Sequence, residues 1–551
     1  MKGFGKEGNS LKKKKNKSTP KIQETNLIKK AISYHLKGNI LEAKKSYEEI
    51  INRGINDPSI YSNYGVICQQ SGEIDLAIKL YRKCIHFFPN HPDAYANLGT
   101  ILTDLGKVEE AKISINKAIN LKPDFPNAYA NLASLYKKIG QLKEAEKSIK
   151  KSISLSPNNA IYHLNLGEIL KDFGKLKESE KCARQSIELN PKCEQAYFNL
   201  ADILYKLENP KETLSCYLKF IEIFPANKKI YPLLSAFLKN NKPSNFNQDD
   251  LSYIFNLLIR REDISHRKLS QVFNYLYNTK IVKLLEEKSR DLFKEESFED
   301  IINDSNIILT LKKMALCDTR WERALSNVRR NFCIRIANNK KDLSFYELRF
   351  IIALAEQCFL NEYVYSTNKE ERECLEKIIN RCNDSNKKEQ EISILGCYLP
   401  LYKLNDRLPF LKSIKSTNKN FINLIKFQIL EPLEEIELSK KIKKIGSIND
   451  SISKQVKIQY ENNPYPRWRY GDNSKESNLS YIEVINKQIH PNSIINNFNY
   501  DQVKVLIAGC GTGNQILQSL KYRGSKITAI DLSSASLSYA QRKINNLSIQ
   551  N

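Results

Sequence analysis

The sequence predicts a mainly helical chain that ends in the opening of a parallel α/β sheet. Two observations carry this. Pro89, Pro123, Pro157, Pro191 and Pro225 stand 34 residues apart without an insertion, each closing a unit of two helical patterns. Near the other end, Val503–Ala508 is a short apolar run rich in β-branched residues, hence a buried strand. It leads directly into Gly509-Cys510-Gly511-Thr512-Gly513. At 551 residues the chain is too long for one core, and roughly three domains are expected. Its 41% hydrophobic content is enough to bury them.

Residues 1–23 form a polar basic tail, with a Lys12–Lys15 run, that is expected to be disordered. The net charge of +25 invites a nucleic-acid reading, because a basic surface attracts phosphate without sequence preference. Lys, Asn and Ile are plentiful everywhere, however, and no basic stripe is interleaved with aromatics, so nucleic acid is not an expected partner. No apolar stretch is long enough to cross a bilayer, and no apolar signal core follows Met1-Lys2-Gly3. The twelve cysteines are scattered without C-x-x-C spacing and read as reduced, mostly buried thiols rather than a metal site. The expectation is a soluble, cytoplasmic protein with no membrane partner and no metal.

Residues 24–227 hold six repeats. Tyr95, Leu98, Gly99, Gly106, Ala111, Ile115 and Ala118 mark one unit, and the next matches it with Tyr129, Leu132, Ala133, Gly140 and Ala145. Gly or Ala at the eighth position and Ala at the twentieth let the two helices of a unit approach, and proline stops the second. No single unit can bury its own apolar face, so the array must stack. The pattern resembles the tetratricopeptide repeat (TPR) family over about 200 residues. The resemblance implies an α-solenoid that binds a protein or peptide partner.

Asn63, Asn97, Asn131, Asn165 and Asn199 occupy the sixth position of five successive units. In a TPR array this position faces the inner groove, so the amides would form a ladder able to hold the backbone of an extended peptide. The arrangement resembles the asparagine ladder of O-linked N-acetylglucosamine transferases. The other reading is that these amides bond locally. Lys29 replaces the amide in the first unit.

Residues 228–455 read as a helical connector domain, with polar linkers at Asn240–Asp250 and Asn383–Gln390. Glu356 and Glu362, within Ala353–Tyr363, read as ordinary solvated charges of a helix rather than catalytic groups. The connector resembles that of bacterial proteins joining TPR arrays to a C-terminal methyltransferase. Residues 456–500 hold Asn463-Pro464-Tyr465-Pro466-Arg467-Trp468, where two prolines favour a stiff extended arm. The same string occurs in the TPR–methyltransferase group. Tyr465, Arg467 and Trp468 would form a flat cationic lid or substrate wall, or else a linker packed on the next domain.

Residues 501–551 continue from the strand and glycine loop to a helix, Asn514–Tyr522, then a second strand, Ser525–Ile530, ending at Asp531. This is the opening of a Rossmann-type sheet. A dinucleotide loop needs a glycine where Asn514 stands. The G-x-G-x-G form instead resembles the first motif of class I methyltransferases that use S-adenosylmethionine. By that resemblance Gly509, Gly511 and Gly513 would line the methionine part of the cofactor, Asp531 would bind its ribose, and Leu532 would lie along its adenine. Ile507 or Ala508 replaces the acid common at the end of the first strand. Only two strands of the several that such a fold needs are present, so an incomplete and inactive methyltransferase domain is expected, with no catalytic residue to name. The leading reading is a methyltransferase whose TPR array recruits a protein; the alternative is a non-catalytic TPR scaffold. A TPR-linked glycosyltransferase is disfavoured because no sugar-nucleotide domain follows the repeats.

Overall fold

The computed structural model describes residues 20–286, 293, 295–339, 342–383, 388–462, 464, 466–472, 479–489, 494 and 503–547. The Lys12–Lys15 run and Tyr465 lie outside the described residues. The chain forms two compact bodies, residues 1–208 with 485–498, and residues 209–484 with 499–551. The division falls inside the sixth repeat.

The first body is a stack of helical pairs: α1 (Pro20–Leu36) with α2 (Ile40–Asn52), α3 (Pro58–Gln70) with α4 (Ile74–Phe87), and α5 (Pro92–Asp104) with α6 (Val108–Leu121). It continues with α7 (Pro126–Lys138) and α8 (Leu142–Leu155), α9 (Ala160–Asp172) and α10 (Leu176–Leu189), and ends at α11 (Glu194–Lys206). Proline opens α3, α5 and α7 at a position whose N–H has no helical partner to lose. Each turn inside a pair uses one glycine, Gly38, Gly72, Gly106, Gly140 or Gly174, at φ of +76° to +79°. At Gly72 the following N–H, of Glu73, returns to the Cys68 carbonyl at 2.8 Å, which satisfies the end of α3.

The eighth-position glycines set the spacing within a pair. A Cβ at Gly65 would stand 2.5 Å from Tyr81 Cε1, and one at Gly99 would strike Ile115. Tyr81, Ile115, Ala77 and Ala111 are fully buried in the seam so formed. The core is continuous from Ala31 to Leu135, as expected when each unit covers the apolar face of the one before.

The second body opens with Pro210–Ile223, the second helix of the sixth repeat, and is helical through to Asn462. Its core includes Phe255, Phe273, Trp321, Phe332 and Phe350, all buried, with the Trp321 and Phe273 rings 5.0 Å apart. Helices Thr319–Ala337, Phe345–Leu360, Lys369–Cys382 and Lys388–Leu395 pack on one another. The polar linker expected at Asn383–Gln390 thus gives way to helix at Lys388. Asn418-capped and proline-opened helices follow, ending at Ser451–Asn462.

The body closes with β1 (Lys504–Ala508) and β2 (Lys526–Ile530), paired in parallel with Lys504 beside Lys526 and Ala508 beside Ile530. Two short helices, Asn514–Ser519 and Ser534–Asn546, follow the strands in turn. Ile507, Cys510, Ile516 and Ala540 form their small core. The chain is thus mainly helical with one two-stranded parallel sheet among the described residues. All twelve cysteines are free thiols. Among the described residues no helix is long and apolar enough to cross a membrane.

Candidate functional site

Two places gather the residues singled out by sequence. The first is the inner face of the array. Helices α3, α5, α7, α9 and α11 pack side by side, and the first four also pack on their own partners, which makes one continuous face. Asn63, Asn97, Asn131 and Asn165 sit half-buried at the middles of four of these helices, and Asn199 is 3% exposed on the fifth. Asn131 Nδ2 donates to the Ala96 carbonyl on the helix before it, at 3.1 Å. Asn199 Oδ1 accepts from Lys171 Nζ at 2.9 Å, and its Nδ2 has no partner. The ladder spacing is therefore present, with at least two of its five amides partly engaged inside the array.

The same face carries charges that neutralise one another. Lys137 pairs with Glu168 at 2.7 Å and Asp172 at 3.7 Å, and Lys171 pairs with Asp202 at 2.8 Å. Each lysine reaches from one unit to the next, so the pairs repeat with the period of the array. Toward the other end the positions corresponding to Lys137 hold Gln69 and Thr103, which are uncharged.

The second place is the glycine loop between β1 and the Asn514–Ser519 helix. Gly509, Gly511 and Gly513 have φ of +67°, +51° and +88°, a region open to glycine and costly for other residues. The N–H groups of Gly509 and Cys510 both donate to the Ile530 carbonyl, at 2.9 and 3.1 Å, which ties the loop to the tip of β2. There Asp531 accepts from the Gly511 N–H at 2.8 Å and the Ser533 N–H at 2.9 Å. Nothing lies within 4 Å of a Cβ built on Gly509 or Gly511, so the loop backbone is bare on that side. Leu532 beside it is 44% exposed. A glycine surface free of side chains, a carboxylate and an exposed aliphatic side chain fit the polar tail, ribose and base of a nucleoside-type cofactor.

The arm threads between this loop and the helical core. Arg467 pairs with Glu362 and lies 4.4 Å from the centre of the Phe359 ring. Burial pushes the Glu362 carboxyl up, with Arg467 pulling the other way. Trp468 Nε1–H donates to the Thr512 carbonyl at 2.9 Å, and the Thr512 hydroxyl donates to the Pro466 carbonyl at 2.7 Å. Arg469 pairs with Glu356 and also donates to the Lys312 carbonyl at 3.0 Å. Lys543 Nζ donates to the Arg469 carbonyl, and burial lowers its pKa to about 7. Arg467 and Trp468 therefore pack against their neighbours through their side chains, and the Trp468 N–H also donates to the Tyr539 hydroxyl at 3.1 Å.

One expectation is corrected, for both carboxylates: Glu362 is largely buried against Arg467 rather than solvated. Glu356 is not a solvated helix charge: it is fully buried, in a helix whose residues Phe350–Leu360 are buried without a break. The signal was in the sequence, because a helix apolar on all sides must be enclosed and a carboxylate at its centre then requires a cation. Glu461 was also missed. It accepts from the N–H groups of Ser534 and Ala535 at 2.8 and 3.1 Å, capping the helix that follows Asp531. No spacing rule joins residues so far apart in sequence.

Comparison with known proteins identifies the repeats. Residues 58–91, 126–159, 160–193 and 194–227 match the tetratricopeptide repeat family, as do residues 80–113, and residues 99–140 match the TPR repeat. Residues 58–227 are therefore TPR repeats. No curated protein matches it. Among solved structures it is similar to a thermophilic TPR protein of Thermus thermophilus, at 18% identity over 33% of this chain and 99% of that one, with a TM-score of 0.31. Pseudomonas aeruginosa pilF is similar at 16% identity over 39% of this chain and 98% of its own, with a TM-score of 0.34. YrrB, a TPR protein with an unusual peptide-binding site, is similar at 22% identity over 34% and 95%, with a TM-score of 0.26.

Proposed function

We propose that the chain is a TPR interaction protein whose inner face holds an extended polypeptide by its backbone. The observation that supports this is the continuous face of α3, α5, α7, α9 and α11 with an asparagine at the middle of each. A carboxamide offers a donor and an acceptor whatever the peptide's side chains are. Because Asn131 and Asn199 already bond within the array, Asn97 and Asn165 are the better test. Peptides selected from a random display library on the full chain are expected to bind the Asn97→Ala/Asn165→Ala variant at least about tenfold more weakly, roughly one hydrogen bond for each amide removed. Circular dichroism should show the array intact. Equal affinity for both proteins would remove the ladder.

A second reading is favoured by the glycine loop. In it the C-terminal part binds S-adenosylmethionine, with Gly509, Gly511 and Gly513 along the methionine, Asp531 at the ribose and Leu532 along the adenine. What supports it is the parallel β1–β2 pair with an open positive-φ glycine loop and a carboxylate at the tip of β2. The bound group supplies an electrophilic methyl, while the chain positions it. In calorimetric titration Asp531→Ala is expected to weaken S-adenosylmethionine binding about tenfold or more, since the carboxylate would accept from ribose hydroxyls. If the unaltered chain binds none, the methyl-transfer reading fails and the interaction reading stands alone.

A further inference from the structure

The glycine loop borders an open groove whose far wall is the segment Leu438–Tyr460. Its volume is about 2470 Å³, against about 300–1,000 Å³ for a pocket that encloses one small molecule, so a cofactor on the loop would leave most of it free. The charge of that free space is one-sided. Lys441, Lys443, Lys444, Lys454 and Lys457 line the far wall, and Arg523 and Lys526 line the sheet side. Asp531 is the one carboxylate in the lining among the described residues.

The acids nearest in sequence to the wall lysines, Glu437, Asp450 and Glu461, stand outside the lining, and Glu437 pairs with Lys440 at 2.6 Å. Asp450 accepts from the N–H groups of Ile452 and Ser453, and Glu461 caps the Ser534–Asn546 helix. None of the five wall lysines forms an ion pair among the described residues. The five wall lysines, with Lys526 across the groove, make a concentrated positive field facing the loop.

The lining between the lysines is aliphatic. Ile442, Ile445 and Val456 alternate with them on the far wall, and Leu532, Leu537 and Ile544 face them from the other side. Ile445 is 81% exposed. Single-stranded nucleic acid is held by rows of open aromatic faces. Among the described residues only Tyr460 and Tyr522 in the lining are aromatic, and Lys521 already lies over the Tyr522 ring at 5.3 Å. Lysines alternating with aliphatic side chains complement carboxylates alternating with aliphatic side chains.

We infer that this groove receives an acidic polypeptide segment bearing aliphatic side chains, laid along the glycine loop. The inference deepens the methyl-transfer reading, because it names the class of acceptor brought to the cofactor, but the binding itself does not depend on the cofactor.

The test is fluorescence anisotropy on the full chain with three labelled probes: a peptide of alternating Glu and Leu, one of alternating Lys and Leu, and an oligothymidylate. The Glu-Leu peptide should bind and the Lys-Leu peptide should not. Lys443→Glu/Lys444→Glu/Lys454→Glu, at exposed positions, should weaken Glu-Leu binding at least about tenfold, and raised salt should weaken it in the unaltered chain. Asn97→Ala/Asn165→Ala should leave it unchanged, which separates the groove from the TPR face. The inference is overturned if the Glu-Leu peptide fails to bind, if binding survives both charge reversal and salt, or if the oligothymidylate binds more tightly and is lost in the same variant. S-adenosylmethionine titrated into the same samples keeps the two readings apart. Peptide binding without cofactor binding sinks only methyl transfer, and cofactor binding without peptide binding sinks only the present inference.

Discussion

Arg469→Met is expected to destabilise the second body by about 3–5 kcal/mol, the cost of leaving one member of a buried ion pair alone. Its partner Glu356 is 0% exposed, near the middle of the Phe345–Leu360 helix, with apolar residues on every side. Glu356 Oε1 has no hydrogen-bond partner, so the carboxylate depends on the one guanidinium. Lys312 lies close by, but burial already depresses its pKa, which makes it a poor substitute cation. Both tryptophans, Trp321 and Trp468, belong to this body, so their fluorescence in urea reports its unfolding. The double variant Glu356→Leu/Arg469→Met should regain most of the loss, because apolar side chains of similar size can replace a buried pair at little cost. A single-variant loss below about 1 kcal/mol would mean that the pair behaves as an exposed one.

What could be read from the sequence follows from the range of the interactions concerned. The array was legible because its rules are local and repeated: Gly72 to Gly174 end the first helices, Gly65 and Gly99 admit Tyr81 and Ile115, and both features recur every 34 residues. The glycine loop was legible for a related reason, since strand, loop and helix adjoin in the chain. The asparagines were legible as a spacing, but not the engagement of Asn131 with Ala96, 35 residues away, or of Asn199 with Lys171.

The arm was least legible. Arg467 meets Glu362 across 105 residues and Arg469 meets Glu356 across 113, and nothing in the string Pro466–Arg469 indicates those partners. The basic wall at Lys441–Lys457 was hidden for another reason. In a chain with 87 lysines and arginines a short lysine-rich stretch does not stand out, and only the fold sets it opposite the glycine loop.

Gly513→Val is expected to cost about 2–5 kcal/mol and to disorder the glycine loop. The φ of +88° carries a penalty of about 1–2 kcal/mol for a residue with a side chain. The added Cβ would stand 2.6 Å from Ala540 Cβ and 3.1 Å from its Cα, an overpacking worth about 1–3 kcal/mol. The Ser534–Asn546 helix that carries Ala540 cannot retreat easily. Arg542 fastens it to Glu431 and Glu435, both at 2.8 Å, and Glu461 caps its start. The loop must therefore give way, taking Thr512 from its bonds to Trp468 and Pro466. Gly511→Ala is the informative contrast. It also has positive φ, but no atom lies within 4 Å of the new Cβ, so its cost should be confined to the backbone, about 1–2 kcal/mol. Hydrogen exchange across residues 503–547 separates the two. Protection should be lost throughout in Gly513→Val and kept in Gly511→Ala, and on the proposed methyl-transfer reading the alanine methyl should also weaken S-adenosylmethionine binding. Equal loss of protection in both would mean that the loop is held by its dihedral angles alone. Full protection in Gly513→Val would mean that the loop and the helix are not in the close contact that fixes the glycine there.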